Sequence, residues 1–296
     1  MANFGFRRLA VVAPYAPHWR EARSAVGAPE LLAEAAETKT LAEAVAGCTL
    51  VVGTGTLTYR KPEQRVVRLP ELGPLVRREL ERGGRVGVVF GPEKHGLTRD
   101  DLSYCHLLVE IPTDARQPSM NLGQAVAVCL YELATRALPG ESGGSADGLD
   151  AENEPSSAEI PEEHDSGAKA RDDIAAVTAR LKSCPDTVGE RNQFSPQPVK
   201  PVPFNEESDS AFSVSARRNS VKSNPAAASG ELELLAGVLE ETMIAAGYSP
   251  SSMREANRHD LRLLLRRLRP SRRDSRRILG LFRRILWRLK RVSKRD

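Results

Sequence analysis

VGVVFGPEKHGLTRDDLSYCHLLVEIPTDARQPSMNLGQAVAVCLY, residues Val86–Tyr131, is the stretch on which the reading of this chain turns. Val86 to Phe90 is an apolar, β-branched run that stops at Gly91-Pro92, with Glu93, Lys94, His95 and Gly96 next. Thr98 is placed to cap a short helix whose first turn holds Asp100 and Asp101, where negative charge is favoured. A second apolar run, Leu107 to Ile111, breaks at Pro112-Thr113. A polar loop then opens into Ser119-Met120-Asn121, and a helix follows with Leu122, Ala125, Val126, Cys129 and Leu130 at its small and apolar positions. Two buried strands that each end in a loop describe an open α/β sheet, whose ligand site is expected at the carboxyl ends of its strands.

Upstream, the same alternation continues. Leu9 to Ala13 reads as a strand ending at Pro14. Glu21–Ala25, Pro29–Ala36 and Leu41–Val45 read as short helices. Cys48 to Val52 is a buried strand that stops at Gly53-Thr54-Gly55-Thr56. Pro70 to Arg82 is amphipathic, with Leu72, Leu75, Val76 and Leu80 on one face and Gly83-Gly84 as its C-terminal cap. Strands alternating with helices predict a parallel sheet covered on both faces, in a domain spanning residues 1–138.

Downstream, the composition changes. Residues 139–229 are rich in Gly, Ser, Pro, Glu and Asp and poor in apolar residues, and PQPVKPVP (196–203) favours extended backbone. This stretch is expected to be a disordered linker, with a transient helix at Ala168–Leu181. Residues 230–296 are helical again, over Glu231–Gly247, Asp260–Leu268 and Asp274–Leu289. Leu261, Leu264, Leu265 and Leu268 form one stripe, and Ile278, Leu281, Phe282, Ile285, Leu286 and Leu289 another, with arginines opposite. The 296-residue chain carries a net charge of +4, but the charge is unevenly distributed. Arg254–Asp296 holds 17 Arg/Lys against 4 Asp/Glu, while Glu141–Asp173 is acidic. That asymmetry points the C-terminal helices toward a phosphate-bearing partner.

Several classes are disfavoured. The four cysteines, Cys48, Cys105, Cys129 and Cys184, have no metal-type or paired spacing, so they read as reduced core thiols and no metal is expected. His95 and His106 lack metal spacing or a nucleophile partner and read as structural. No apolar run approaches the roughly 20 residues of a membrane span, and no charged-then-apolar leader begins the chain. A soluble, cytoplasmic protein is the expectation.

FGPEKHGL, then IPT, then PSMNLGQAVAVCLYE closely resembles the second and third motifs of the SPOUT-class (SpoU/TrmH-type) RNA 2'-O-methyltransferases. ELELLAGVLEETMIAAGY, LRRLRP and ILGLFRRIL resemble, more loosely, the C-terminal extension of that family's TrmJ subgroup. The resemblance implies an α/β SPOUT domain with a C-terminal trefoil knot, S-adenosylmethionine (SAM) as methyl donor, tRNA as partner and a homodimer. The subgroup methylates the ribose of nucleotide 32 in the tRNA anticodon loop. It further implies cofactor contacts from Thr54, Gly55, Thr56, Gly91, Ile111, Pro118, Ser119 and Met120. Ser119 and Asn121 are expected near the donor and the target ribose, and Glu93 is expected to brace the active-site loops.

The family carries a first motif, an Asn followed by an Arg, just before the segment that aligns with Met1–Phe6. That arginine handles the 2'-hydroxyl proton, and the chain begins after it. Arg7, Arg8 and Arg60 are candidate stand-ins. The absence of the first strand would expose an edge or a core face of the sheet. Either the start has been assigned too late or the protein is a degenerate paralogue. A non-catalytic RNA-binding paralogue and a ribosomal RNA 2'-O-methyltransferase are the alternative readings.

Overall fold

Short runs of β-branched residues set the centre of the fold. The structure is a computed structural model, describing residues 1–14, 18–21, 27–55, 62–92, 95–114, 116–117, 119–138, 173–179 and 225–292. The strands are β1 (Arg8–Val12), β2 (Ala36–Thr38), β3 (Leu50–Thr54), β4 (Arg65–Arg68), β5 (Val86–Phe90), β6 (Leu107–Glu110) and β7 (Ile174–Ala179). They pair in the order β2-β1-β7-β5-β3-β6-β4, each pair parallel. Successive side chains point to opposite faces of a strand. Leu50, Val52, Val86, Val88, Phe90, Leu107 and Val109 accordingly enter one core cluster, and Val51, Val89 and Leu108 another. Both faces are buried, which is why these strands read as continuous apolar runs rather than alternating ones.

α3 (Leu69–Glu81) and α5 (Leu122–Arg136) supply Leu72, Val76, Cys129, Leu130 and Leu133 to the first cluster. α2 (Leu41–Ala44) and the turn after α4 (Arg99–Ser103) supply Leu41, Tyr104 and Cys105 to the second. α1 (Pro29–Ala33) lies near β1, where Val11, Trp19 and Ala35 form a smaller cluster. Gly53 is needed for close packing. A Cβ there would come within 2.8 Å of Cys105 Sγ and 2.9 Å of Leu108 Cδ2. The α4 cap is as the sequence predicts: the Asp101 N–H donates to Thr98 Oγ1 (3.1 Å), and the Thr98 N–H donates to the Asp101 carboxylate (2.9 Å). Gly83, with φ of +72°, follows α3 in the left-handed conformation glycine favours.

Three expectations are corrected. Residues 139–229 are not irregular throughout, because Ile174–Ala179 forms β7, a strand and not a helix, in the middle of the sheet. Its register runs from Ile174 beside Val86 and from Ala175 beside Arg8, so it joins β5 to β1. No sheet edge is therefore left open at β1, which has β2 on its other side. IAAVTA offers β-branched and small residues suited to a close-packed central strand, but its acidic and polar surroundings masked that pattern. Apart from 173–179, residues 139–224 lie outside the described residues. Finally, α1 ends at Ala33 where a helix was expected to reach Ala36, the short strand Ala36–Thr38 went unseen, and β4 went unseen because RVVR is only four residues with charged ends.

The C-terminal segment folds as α6 (Ser229–Ala245), α7 (Arg254–Leu268) and α8 (Arg272–Val292). Leu232, Leu235, Ala236 and Leu265 form their core, with Leu239, Leu261, Ile278 and Leu279 packed around it. These helices lie directly on the sheet domain. The N–H of Ser229 donates to the Cys48 carbonyl (2.8 Å) and that of Gly230 to Ala46 (3.0 Å). Arg262 pairs with Asp100 (2.8 Å) and Arg269 with Glu79 (2.7 Å). Ala46, Cys48 and Glu79 all precede strands, so the helical unit sits at the amino ends of β3 and β5.

Among the described residues, no helix is long and apolar enough to cross a membrane.

Candidate active site

The opposite, carboxyl ends of the strands hold the residues singled out from the sequence. Register places Gly53 beside Val89 and Thr54 beside Val109, so β3, β5 and β6 finish side by side. The Thr54 hydroxyl donates to the Val89 carbonyl (2.9 Å), tying the end of β3 to β5. Gly55 follows, exposed, with open space where a Cβ would stand. Among the described residues nothing stands where a Cβ on Gly55 would be, so its backbone is open to approach.

Gly91 ends β5, and the chain then folds back on itself. The Gly96 N–H donates to the Pro92 carbonyl (2.8 Å), Gly96 takes φ of +61°, and Leu97 is buried in the second core cluster. This brings the Gly96 carbonyl carbon and the Leu97 nitrogen against Gly91, with Gly96 Cα 2.8 Å from where a Gly91 Cβ would sit. Only glycine fits at position 91, and the reason is a backbone clash.

Ile111 and Leu122 both pack against the first core cluster, which anchors the loop between β6 and α5 at its two ends. Within that loop, the Asp114 carboxylate accepts from Arg116 Nε (3.1 Å), holding its own titration below the ordinary value. Ser119 is exposed and Met120 half-buried. The Asn121 side-chain oxygen accepts from the Gly123 N–H (2.8 Å), and its carbonyl accepts from Ala125, so Asn121 is the N-cap of α5. Asn121→Ala should destabilise the domain by about 1 kcal/mol, the usual worth of such a cap. Urea unfolding would read this as a lower midpoint with an unchanged slope.

The structure therefore gathers Thr54, Gly55, Gly91 and Ile111 at one edge of the sheet, and places Ser119, Met120 and Asn121 on the loop that returns from it. Thr56, Glu93, Pro118 and Arg60 lie outside the described residues. Arg7 and Arg8, at the amino end of β1, are remote from this edge along the strand.

Buried groups elsewhere are not poised for chemistry. Burial pushes the Cys105 and Cys129 thiols up to about 12 and the Cys48 thiol to about 11, which keeps them protonated and unreactive. His106 Nδ1 accepts from the Val51 N–H (3.1 Å). Burial, and then the charges of Arg266 and Arg269, hold its titration well below the ordinary histidine value. It is a neutral backbone clamp. Among the described residues, no cluster of three or more His, Cys, Asp or Glu could hold a metal ion.

The charged layer where the helices dock was barely legible in the sequence. Glu233 accepts from Arg258 (3.0 Å) and from Arg262 (3.0 Å), while Arg262 also reaches Asp100 and lies 4.2 Å over the Tyr104 ring. The one available signal was i,i+4 spacing of Arg254, Arg258, Arg262 and Arg266, which marks a stripe without naming its partners.

Comparison with known proteins fits this geometry. Residues 1–131 match the family model described as the SpoU rRNA Methylase family. The chain is 37% identical over 134 residues to the tRNA (cytidine/uridine/adenosine-2'-O-)-methyltransferase TrmJ of Pseudomonas aeruginosa, covering 45% of this chain and 52% of that protein. It is 39% identical over 141 residues to the tRNA (cytidine-2'-O-)-methyltransferase TrmJ of Methanocaldococcus jannaschii, covering 47% and 60%. The chain thus spans between half and three fifths of the length of these two relatives. The crystal structure of TrmJ from Z. mobilis ZM4 superposes with a TM-score of 0.59, over 96% of this chain and 89% of that one, at 21% identity, a likeness of fold. The glycine-ended strands and the Asn121-capped helix fall within the residues that match: residues 1–131 of this chain are similar to the SpoU rRNA Methylase family.

Proposed function

We propose that the protein transfers a methyl group from SAM to a ribose 2'-hydroxyl of tRNA, in the manner of the TrmJ group. The observation that carries this reading is the convergence of Thr54, Gly91 and Ile111 at the ends of three adjacent parallel strands, within a SpoU family match. The open backbone at Gly55 and the tight turn at Gly91 fit an adenosyl group, which needs backbone partners and little else. The bound donor would supply an electrophilic methyl on a good leaving group.

The protein's part is then mostly alignment, since in-line displacement rewards a fixed approach: the ribose oxygen takes the methyl as the sulfur–methyl bond breaks and the thioether product leaves, and the 2'-hydroxyl proton passes to solvent. Thr54, Gly55, Thr56, Gly91, Ile111, Pro118 and Met120 hold the donor. Ser119 and Asn121 orient the ribose beside it, Asn121 being rigid because it caps α5. Glu93 braces the turn after β5. The finer parts of the proposal are a trefoil knot formed by the chain through α5, a homodimer that completes the site, a cytoplasmic location and nucleotide 32 of the anticodon loop as target.

The test is transfer of a labelled methyl group by the full-length protein to tRNA, with the modified nucleotide mapped by mass spectrometry. Label at the ribose of nucleotide 32, reduced about 100-fold in Ser119→Ala, is the expected result. No label in any RNA would instead support an RNA-binding paralogue, and label in ribosomal RNA alone would reassign the substrate.

A further inference from the structure

The seam between the sheet domain and the C-terminal helices encloses a cavity of about 510 Å³. It opens at the amino ends of β3 and β6, beside Leu50, His106 and Leu107, with α3 on one side and α7 on the other. A five-residue strand is roughly 17 Å long, so this cavity and the loops proposed to hold the methyl donor lie at opposite ends of the sheet.

Its lining is strongly cationic. Arg65, Arg78, Arg82, Arg266, Arg267 and Arg269 face it, against only Glu63 and Glu79. Glu79 is already engaged, accepting from the Thr49 hydroxyl and from Arg269 Nη2 (2.7 Å). Arg65, Arg78, Arg82, Arg266 and Arg267 form no ion pair with any carboxylate of the described residues.

Arg266 is the decisive residue. It is 2% exposed. Its Nη1 donates to the Arg262 carbonyl (3.3 Å) and its Nη2 to the Ser229 hydroxyl (3.1 Å), but its buried Nε–H has no acceptor. A guanidinium taken out of water with no ion-paired carboxylate among the described residues, only the Tyr104 ring at 5.3 Å, and with one donor unmet, is costly to keep. Burial, helped by the neighbouring Arg262 charge and opposed by that of Glu233, draws its titration down to about 10. Folding accepts that cost at a position where several unpaired guanidinium groups converge on a space large enough for a small molecule.

We infer that this interdomain cavity is a binding site for a phosphate group, carried either by a free nucleotide or by an RNA backbone. Arginine forks match phosphate oxygens in pairs, and the number of unpaired arginines exceeds what one carboxylate would need. Leu50, Leu75, Leu107 and Leu263 give the cavity apolar wall for a sugar or base. Because α3 forms one wall and α7 the other, an occupant clamps the helical unit onto the sheet domain. The inference does not depend on methyl transfer, since the site is remote from the proposed donor loops.

The test uses the full chain and three probes: inorganic phosphate, AMP, and a fluorescein-labelled single-stranded RNA oligonucleotide. Binding is read by calorimetry for the first two and by anisotropy for the third, with melting temperature followed throughout. Arg82→Ala/Arg267→Ala removes from the rim two exposed cations that form no ion pair among the described residues, and unchanged melting temperature is expected for it. Arg266→Met removes the buried charge at similar length. Arg283→Ala/Arg284→Ala, exposed on α8 outside the cavity lining, removes the same net charge as the rim pair. A cavity site predicts roughly tenfold weaker binding in the first two variants and less than about twofold change in the third. Phosphate and AMP binding that follows this pattern identifies a free nucleotide site; RNA alone following it identifies an RNA backbone site. Equal loss in the cavity and α8 variants, or no binding of any probe, overturns the inference. None of these readouts involves methylation, so failure here is distinct from failure of the proposed activity.

Discussion

Gly91→Ala is expected to unfold the turn after β5. An added Cβ would collide with the Gly96 carbonyl carbon and the Leu97 nitrogen, both backbone atoms. Backbone cannot swing aside as a flexible side chain can. Relief requires Gly96–Leu97 to move outward, which draws the Leu97 side chain, 1% exposed, out of the second core cluster. Overpacking plus partial loss of a buried leucine costs on the order of 3 kcal/mol. For a protein of this size that corresponds to a fall in melting temperature of roughly 10 °C. Gly55→Ala is the internal control, because its new methyl meets nothing within 4 Å. It should change stability by less than about 1 kcal/mol. Differential scanning calorimetry of the pair decides the matter. Equal melting temperatures would mean that the turn does not have the geometry described.

Arg262→Ala is expected to undock the C-terminal helices. Arg262 reaches both Glu233 carboxylate oxygens with Nε (3.1 Å each), places Nη1 on Asp100, and stacks over Tyr104. It joins α6, α7 and α4 through one side chain. Its loss leaves half-buried Glu233 with Arg258 alone. Breaking a buried pair from one side costs roughly 3–5 kcal/mol, and partial exposure here reduces that to about 2–3 kcal/mol. Hydrogen exchange should show faster opening across α7 with the sheet strands unaffected.

The same pair sets an acid limit. Burial works to raise the Glu233 carboxyl, but the hydrogen bond and charge of Arg262, and then Arg258, outweigh it, and the net direction is down from 4.5. A depressed folded value means the pair contributes its full stability above the unfolded value near 4.5. That contribution is lost as pH falls through the folded value. In the wild type, undocking should therefore appear only below about pH 4.5. Arg262→Ala should lose most of this pH dependence. An identical acid profile in both proteins would place the acid-sensitive contact elsewhere.

How much of this was legible beforehand differs by element. VGVVF and HLLVE could only be buried strands, because both faces of a covered parallel sheet demand apolar residues. Thr98 announced itself as a cap, because capping is chemistry within three residues of the chain. The helical character of α7 and α8 followed from period 3.6, but Leu264, Leu268, Leu281 and Ile285 of the expected stripes stand exposed, and only Leu265 and Leu286 are buried. The family motifs around Gly91 and Asn121 pointed to the edge where Thr54, Gly91 and Ile111 meet. β7 was hidden, because six small and β-branched residues in a polar tract form a strand only when β1 and β5 leave a slot between them.

What the sequence determined by itself is therefore local: strand runs, helix faces, caps and the glycine-ended turns of the candidate site. What only the tertiary structure decided is which charge meets which. Arg262 finds Asp100 across 162 residues and Arg269 finds Glu79 across 190, while Arg266, on the same stripe, is buried with a donor unmet. No periodicity distinguishes these three arginines. Their fates are set by docking, because the energy of a charge depends on the burial and partners that distant segments bring to it.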